Sequence, residues 1–336
     1  MNSRILRIFT VLLATLPFSS NASFLKHDEA STFVREMEER HGFDGDELRT
    51  ILHRARHLER VIRLITPPST RGARSWQDYR SRFLDDARIE AGVSFWQKYR
   101  STIDAASREF GVPPEIIAAI IGVETHYGNY TGSFETVSAL ATLAFDYPPR
   151  APLFRRELEN LFLLAREQGR DPLSYRGSFA GALGYPQFLP SSIRAYAVDF
   201  DGNGTIDFES DAVDAIGSVA NYLSAHGWQR GEPIAVKVRL PTDLDPAPLI
   251  GAGIEPTLDL TRIVGSGIEA EHDRLHHTPA ALFDLPTPGH ATEYWLGYRN
   301  FYVITRYNRS SFYAMSVYEL GQALRSRFEA RQAYAR

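Results

Sequence analysis

Apolar residues recur three and four positions apart over most of the first two thirds of the chain, and that spacing predicts helices. Leu48, Ile51, Leu52, Ala55, Leu58 and Ile62 form one such stripe. The Pro-, Ser-, Thr-, Gly- and Arg-rich stretch from Pro67 to Arg74 reads as a loop. Ser75 then stands where its hydroxyl can accept from a first-turn amide, capping a helix that carries Trp76, Tyr79, Phe83 and Leu84. Helix continues around Phe95, Trp96, Tyr99 and Ile103. Gly111 ends it, and Pro113-Pro114 starts another, because the first turn leaves an amide unused that proline lacks anyway. From there to Trp228, helices alternate with Gly-rich turns. After Gly231 the period drops to two, and Ile234 to Leu240 reads as a strand. Pro, Gly and short apolar runs continue to about Leu296, Tyr302-Val-Ile-Thr305 reads as one more strand, and Ser311 to Ala335 returns to helix. The pattern predicts a mainly α (α+β) protein with a small β segment, and no internal repeat is visible.

Length and composition narrow this picture. The 336 residues leave room for one large domain or two to three packed subdomains. With 43% hydrophobic and 23% charged residues, neither a disordered chain nor a polytopic membrane protein fits. The net charge of −4 offers no basic footprint, so nucleic acid is not an expected partner. Cysteine is absent, which excludes disulfides, Cys-ligated zinc, Fe–S clusters, a thiol nucleophile and a lipid attached through an N-terminal Cys. Arg4 and Arg7, the apolar run Ile8 to Phe18 and the small-x-small Ser20-Asn21-Ala22 have the build of a secretory signal peptide over residues 1–22. The run is short for a transmembrane helix. The expectation is an exported, soluble protein, not a lipoprotein.

Candidate chemistry begins in the segment Pro113 to Gly128. On a helix, Ile116, Ile120 and Glu124 share one face, which Ile117 and Ile121 widen. Glu124 therefore sits where the pattern expects another apolar side chain. Burial disfavours the carboxylate and raises its pKa, as a general acid near neutral pH requires. The alternative is that the helix ends here and Glu124 emerges into solvent. His126 beside it reads more readily as a packing or hydrogen-bonding residue than as a second acid. Neither Gly-x-Ser-x-Gly nor a phosphate-binding glycine loop occurs.

Two further segments stand out. Gly177 to Ser192 is too apolar for a flexible linker and too rich in glycine for a plain helix. Small residues permit close backbone approach, and Ser178 and Gln187 add neutral polar groups among aromatic rings, a mixture that suits sugars as well as tight packing. Asp199, Asp201 and Asn203 fall at positions 1, 3 and 5 of an EF-hand loop, with Gly204 at 6, Thr205 at 7 offering its carbonyl, and Asp207 at 9. Hard oxygen donors at these offsets fit Ca²⁺. Position 12 is Ser210, which cannot be a bidentate ligand; Asp211 or Asp214 can replace it in a longer loop. An acidic turn without metal is the other reading.

Taken in order, these elements resemble the B-type lytic murein transglycosylases, exported lysozyme-like enzymes of Gram-negative bacteria. The resembling stretches are Gly122-Val-Glu-Thr-His-Tyr-Gly128, Ala144-Phe-Asp-Tyr-Pro148, Gly177 to Ser192, Tyr196-Ala-Val-Asp-Phe200, Asp214 to Leu223, Tyr294-Trp-Leu-Gly297 and Asn300 to Asn308. Beyond the signal peptide read at 1–22, the resemblance implies a helical domain built from 23–105 and 306–336, a lysozyme-like catalytic core at 106–230 and a small β domain at 231–305. It makes Glu124 the sole catalytic acid and base. Tyr79, Ser178, Gln187, Tyr222, Tyr307 and Tyr313 match cleft positions that would bind substrate. Asp214 matches the last acidic ligand of a lengthened calcium loop, which resolves Ser210. Ca²⁺ is then a structural cofactor, and no organic cofactor is expected.

The implied reaction differs from ordinary glycosidases, which use two carboxyl groups. Glu124 would protonate the glycosidic oxygen leaving N-acetylmuramic acid, with the 2-acetamido group stabilising the anomeric carbon. The carboxylate would then take the proton of the C6 hydroxyl as it closes a 1,6-anhydro ring. The expected partners are peptidoglycan glycan strands and cell-wall synthesis enzymes, the expected state a monomer and the expected location the periplasm. Two competing readings are a hydrolytic muramidase and a non-catalytic peptidoglycan-binding scaffold.

Overall fold

The computed structural model describes residues 24–67, 72, 74–272 and 274–334. The leader reading at 1–22 lies outside the described residues. Helix α1 (Asp28–His41) opens on two acidic residues and ends at Gly42, whose φ of 65° is left-handed. Asp44 accepts from the amides of Asp46 and Glu47 and starts α2 (Gly45–Arg54). The stripe from Leu48 to Ile62 is not one helix. Ala55 turns extended, and the amides of Arg56 and Leu58 donate to the hydroxyls of Ser138 and Thr142 at 2.8 and 3.1 Å. Those bonds satisfy the backbone outside a helix, and α3 (Glu59–Ile65) restarts beyond them.

Ser75 caps α4 (Trp76–Arg80), accepting from the Asp78 amide. That helix is shorter than its apolar pattern suggests. Phe83 and Leu84 follow it outside any helix, and Asp85 then caps α5 (Asp86–Lys98). The helix expected across Phe95 to Ile103 breaks at Tyr99, between α5 and α6 (Arg100–Phe110). Gly111, with φ 77°, closes α6, and Pro114 opens α7 (Pro114–Thr125).

Helix α7 is buried on every side from Ile116 to Val123 and is a core helix, with its polar residues at the two ends. Around it pack α5, α6, α11 (Val213–Ala225) and the long C-terminal α15 (Ser311–Tyr334), with α14 (Arg299–Tyr307) leading into α15. Gly321 permits the close approach of α15, since a Cβ there would stand 3.1 Å from the Ile116 side chain. Between α7 and α11 the chain runs through β1 (Phe134–Glu135), α8 (Thr136–Phe145), α9 (Ala151–Glu167), β2 (Arg176–Gly177) and α10 (Pro190–Tyr196). The short β1–β2 ladder pairs Phe134 with Gly177 and anchors the start of the Gly-rich turn.

Residues 235–297 form a four-stranded antiparallel sheet in the order β4-β3-β6-β5, from β3 (Ala235–Arg239), β4 (Glu269–Ala270), β5 (Ala281–Leu285) and β6 (Glu293–Gly297). Helices α12 (Ala247–Gly251) and α13 (Leu260–Gly265) lie between its strands in sequence. Leu296 of β6 sits opposite both Val236 of β3 and Leu282 of β5, and this face forms a small separate core with Leu258 and Ile263. The main core is continuous from Phe24 through α7 to Phe328, so both ends of the chain share one apolar interior with the middle.

The strand expected at Tyr302-Val-Ile-Thr305 is instead part of α14. Phe301, Ile304 and Thr305 are buried at helical spacing, while Tyr302 and Arg306 lie nearer the surface. The Asn300 side chain fixes the start, donating to the carbonyls of Gln229 and Glu232 and accepting from the Gln229 amide. Tertiary contacts thus override the strand preference of the β-branched run. Among the described residues, no helix is long and apolar enough to cross a membrane.

Candidate active site

Glu124 occupies the last turn of α7, where the helix leaves the core. Its backbone is fixed from both sides. His126 and Tyr127 follow with φ of 51° and 59°, a left-handed pair that closes the helix through bonds to the carbonyls of Gly122 and Ile121. Thr125 Oγ1 accepts the Gly128 amide at 3.0 Å and lies 3.0 Å from the Tyr185 carbonyl, which ties the helix end to the Gly-rich turn. From α5, Arg88 donates to the Gly122 carbonyl at 2.6 Å.

The carboxyl itself is half-buried but densely surrounded by protein. Burial pushes its pKa from the ordinary 4.5 up to about 7, against the opposing pull of the Tyr313 hydroxyl, which donates to Oε1 at 2.6 Å. The C-terminal turn of a helix carries partial negative charge and disfavours a carboxylate in the same sense. Among the described residues, no other carboxylate contributes to this shift. Glu124 is therefore protonated over much of the range below neutrality and can give up that proton near pH 7. An acid that titrates near the working pH is suited to protonate a leaving group and then accept a proton back.

Tyrosines gather around it. Tyr79, Tyr307 and Tyr313 all have raised pKa values, each chiefly through burial and then through the charge of Glu124. All three remain neutral hydroxyls near pH 7. The Tyr307 and Tyr313 rings stack nearly parallel with centroids 6.4 Å apart, and Tyr222 meets Tyr307 edge-on at 4.9 Å. Four of the six expected cleft residues use polar groups on the protein's own backbone. Tyr222 donates to the Arg306 carbonyl at 2.8 Å, and Tyr307 donates to the Pro186 carbonyl at 2.6 Å. Ser178 Oγ accepts the Ala182 amide at 3.0 Å. The Gln187 amide nitrogen reaches the carbonyls of Thr131 and Gly184, at a backbone φ of 49°. These bonds fix the positions of the four side chains and of the backbone around them.

The Gly-rich turn is accordingly a packed structure. A Cβ at Gly184 would stand 2.3 Å from the Phe208 carbonyl oxygen, and one at Gly132 2.1 Å from the Gly177 backbone. Both positions also carry positive φ, so glycine is required twice over. Phe188, within the turn, packs its ring on Tyr222 and Tyr307 at 5.3 and 5.7 Å.

In the acidic loop, Asp199, Asp201 and Asp214 bring carboxylate oxygens within 4.8 Å of one another. Asp214 is buried at the first turn of α11, and its two oxygens accept the amides of Phe200 and Asp207 at 2.8 Å. Burial raises the pKa of Asp214, while the Gly204 amide leads the bonds that lower that of Asp199. Asn203 lies in the same loop, its Oδ1 accepting from both the amide and the hydroxyl of Thr205. The Asp207 carboxylate is directed to the Ser210 hydroxyl and the Glu209 amide and stands outside the trio. The donor set is hard oxygen with three carboxylates, which fits Ca²⁺ better than a softer metal.

The sequence reading missed Thr125, Tyr185 and Arg88. Thr125 adjoins Glu124, but its bond to the Tyr185 carbonyl spans 60 positions, and nothing local marks Arg88.

A family model described as the transglycosylase SLT domain matches residues 26–322. Membrane-bound lytic murein transglycosylase B of Escherichia coli K12 is 43% identical over 310 residues, which cover 90% of this chain and 84% of that protein. The E. coli lytic transglycosylase Slt35, solved in complex with calcium, superposes with a TM-score of 0.80 at 42% identity, covering 91% of this chain and 95% of the other. SltB3 of Pseudomonas aeruginosa, solved with NAG-anhNAM-pentapeptide, gives a TM-score of 0.77 at 28% identity, with 90% and 80% covered.

Proposed function

The chain belongs to the lytic murein transglycosylases, and we propose that it cuts peptidoglycan glycan strands with Glu124 as its one acid and base. The reaction is cleavage of the β-1,4 bond between N-acetylmuramic acid and N-acetylglucosamine, leaving a 1,6-anhydro end. The observation that carries the role of Glu124 is its setting. It is a carboxyl with a pKa of about 7, bonded to a neutral phenol, with no second carboxylate among the described residues acting on it. Protonated Glu124 donates to the leaving glycosidic oxygen. The resulting carboxylate, held by Tyr313, removes the proton of the C6 hydroxyl as that oxygen closes on C1. Tyr79, Tyr222, Tyr307, Ser178 and Gln187 line the cleft and hold the sugar ring in the orientation that ring closure needs. Mass spectrometry of digested sacculi tests the reaction: anhydro ends are expected, and reducing muramic ends in their place would make the enzyme a hydrolase.

Calcium belongs to the same reading, supported by the Asp199, Asp201 and Asp214 trio and by the calcium complex of Slt35. Those three carboxylates, with Asn203 and the Thr205 carbonyl, would hold the ion; Asp207 would need to turn from Ser210 to join them. The ion would neutralise the clustered charge and brace the loop between α10 and α11. A ligand that binds only the native state at a hundred times its Kd stabilises it by about 2.7 kcal/mol. Asp199→Ala with Asp201→Ala is therefore expected to lower Tm and abolish its response to Ca²⁺, measured by calorimetry with and without chelator. A wild-type Tm indifferent to both Ca²⁺ and chelator would sink the calcium site. Periplasmic location is part of the proposal as well, because the substrate lies there in Gram-negative cells and residues 1–22 have the composition of an export signal.

A further inference from the structure

Beyond Glu124 and Thr125, two consecutive residues stand in the left-handed region, His126 at φ 51° and Tyr127 at φ 59°. Residues with a Cβ seldom adopt that conformation, so the turn needs contacts that hold it. Two glycines provide the first. Gly122 of α7 and Gly92 of α5 flank the Tyr127 phenol: a Cβ on Gly122 would stand 2.5 Å from its oxygen, and one on Gly92 2.2 Å. The phenol thus occupies a slot that a side chain at either glycine would fill. Phe95, also of α5, packs on the Tyr127 ring with centroids 5.4 Å apart. Leu324 of α15 borders the slot beside Gly92, and the same helix brings the Tyr313 hydroxyl to Glu124.

The second contact is Arg88, one helical turn before Gly92 and so on the same face of α5. Its side chain is mostly buried, lies over the Phe83 ring at 5.4 Å and pairs with Asp85 at 3.9 Å. It donates at 2.6 Å to the Gly122 carbonyl, which also accepts the His126 amide at 3.1 Å. A cation therefore sits on the bond that closes α7, where the backbone carries partial negative charge. The Tyr127 hydroxyl differs: it is buried and has no hydrogen-bond partner among the described residues. What the slot holds is the ring.

We propose that Tyr127 and Arg88 are positioning residues for the cleavage reaction. The ring in the Gly92–Gly122 slot and the guanidinium on the Gly122 carbonyl lock the left-handed turn, and the turn holds Glu124 against Tyr313. The inference rests on the reading of Glu124 as the acid and base. Only Thr125 separates Glu124 from the turn, so a relaxed turn would carry the carboxyl away from the hydroxyl that binds it. A misplacement of about 1 Å at a reacting group costs on the order of a hundredfold in rate.

Gly122→Ala tests the lock without deleting a contact, since its methyl favours the helix and displaces the Tyr127 ring. On soluble glycan strands, kcat per folded molecule is expected to fall roughly ten- to a hundredfold while KM stays near the wild-type value. The alkaline limb of the kcat profile is expected to move to lower pH, because a displaced carboxyl loses the burial that raises its pKa. Arg88→Met is expected to act in the same way, and it carries the comparison if Gly122→Ala does not fold. Arg88→Lys is expected to keep most of the rate, because an ammonium can still donate to the Gly122 carbonyl. Tyr127→Phe is expected to match wild type, because it keeps the ring and removes only the unpartnered hydroxyl. Thermal melts count the folded fraction of each variant. Wild-type kcat in folded Gly122→Ala, or a fall with the limb unmoved, overturns the lock. So does a loss of rate in Tyr127→Phe, which would give the hydroxyl a part of its own, and Arg88→Lys no faster than Arg88→Met overturns the role of Arg88. Glu124→Gln keeps the two readings apart. Activity in that variant would defeat the catalytic reading, whereas an inactive Glu124→Gln beside a fully active Gly122→Ala would defeat the lock alone.

Discussion

Glu124→Gln is expected to retain glycan binding and to lose cleavage by at least about 10²–10⁴-fold, the contribution typical of acid–base catalysis. The two side chains have nearly the same shape, so the end of α7 and the contact with Tyr313 can persist. The amide has no proton to give to a leaving oxygen and no carboxylate to receive one from the C6 hydroxyl. In the proposed reaction both halves fail together, because one group serves both. A two-carboxyl enzyme keeps a second group to assist water; here none of the described carboxylates acts on Glu124. Anhydro muropeptides released from sacculi measure cleavage, and cosedimentation with sacculi measures binding. Activity near the wild-type level in this variant would remove Glu124 from the mechanism.

How far the sequence disclosed this site depends on the range of each interaction. Glu124 was legible because an apolar stripe at helical spacing surrounds it, and Pro113-Pro114 and Gly111 mark where the helix begins. Asp199 and Asp201 were legible because loop ligation imposes fixed short offsets, whereas spacing left Asp211 and Asp214 open and the resemblance pointed to Asp214. Tyr313 carried no such signal: its bond to Glu124 spans 189 positions. Its assignment to the cleft came from family resemblance and not from pattern. Errors in the fold have the same origin. The break after Arg54 depends on hydroxyls of α8 more than 80 positions away, and the helical state of Val303 to Thr305 depends on Asn300 reaching Gln229 and Glu232. Read at a spacing of three and four, Phe301, Ile304 and Thr305 give the helix; the short β-branched run alone gives a strand.

The same Glu124→Gln substitution is expected to stabilise the protein in alkaline solution. Folding raises the pKa of Glu124 from the ordinary 4.5 to about 7, so the folded state holds this proton more tightly than the unfolded chain. The stability linked to that proton is fully present below about pH 4.5 and is lost as the pH rises through about 7. At about pH 8.5 the wild type folds with a crowded carboxylate that the unfolded chain would solvate freely. The separation of the two pKa values corresponds to about 3 kcal/mol. Glutamine resembles the protonated acid and carries no such penalty at any pH. Urea unfolding of both proteins is therefore expected to give similar stabilities near pH 4 and a variant more stable by up to about 3 kcal/mol near pH 8.5, with the gap opening between. Other groups titrate equally in the two proteins and cancel in the difference. A gap that does not change with pH would show that Glu124 titrates as an ordinary surface carboxylate, and a wild type that is the more stable protein at alkaline pH would reverse the sign of its shift. The expected result would make Glu124 a local cost to the fold, as befits a carboxyl whose proposed role is to hold a proton to near neutrality.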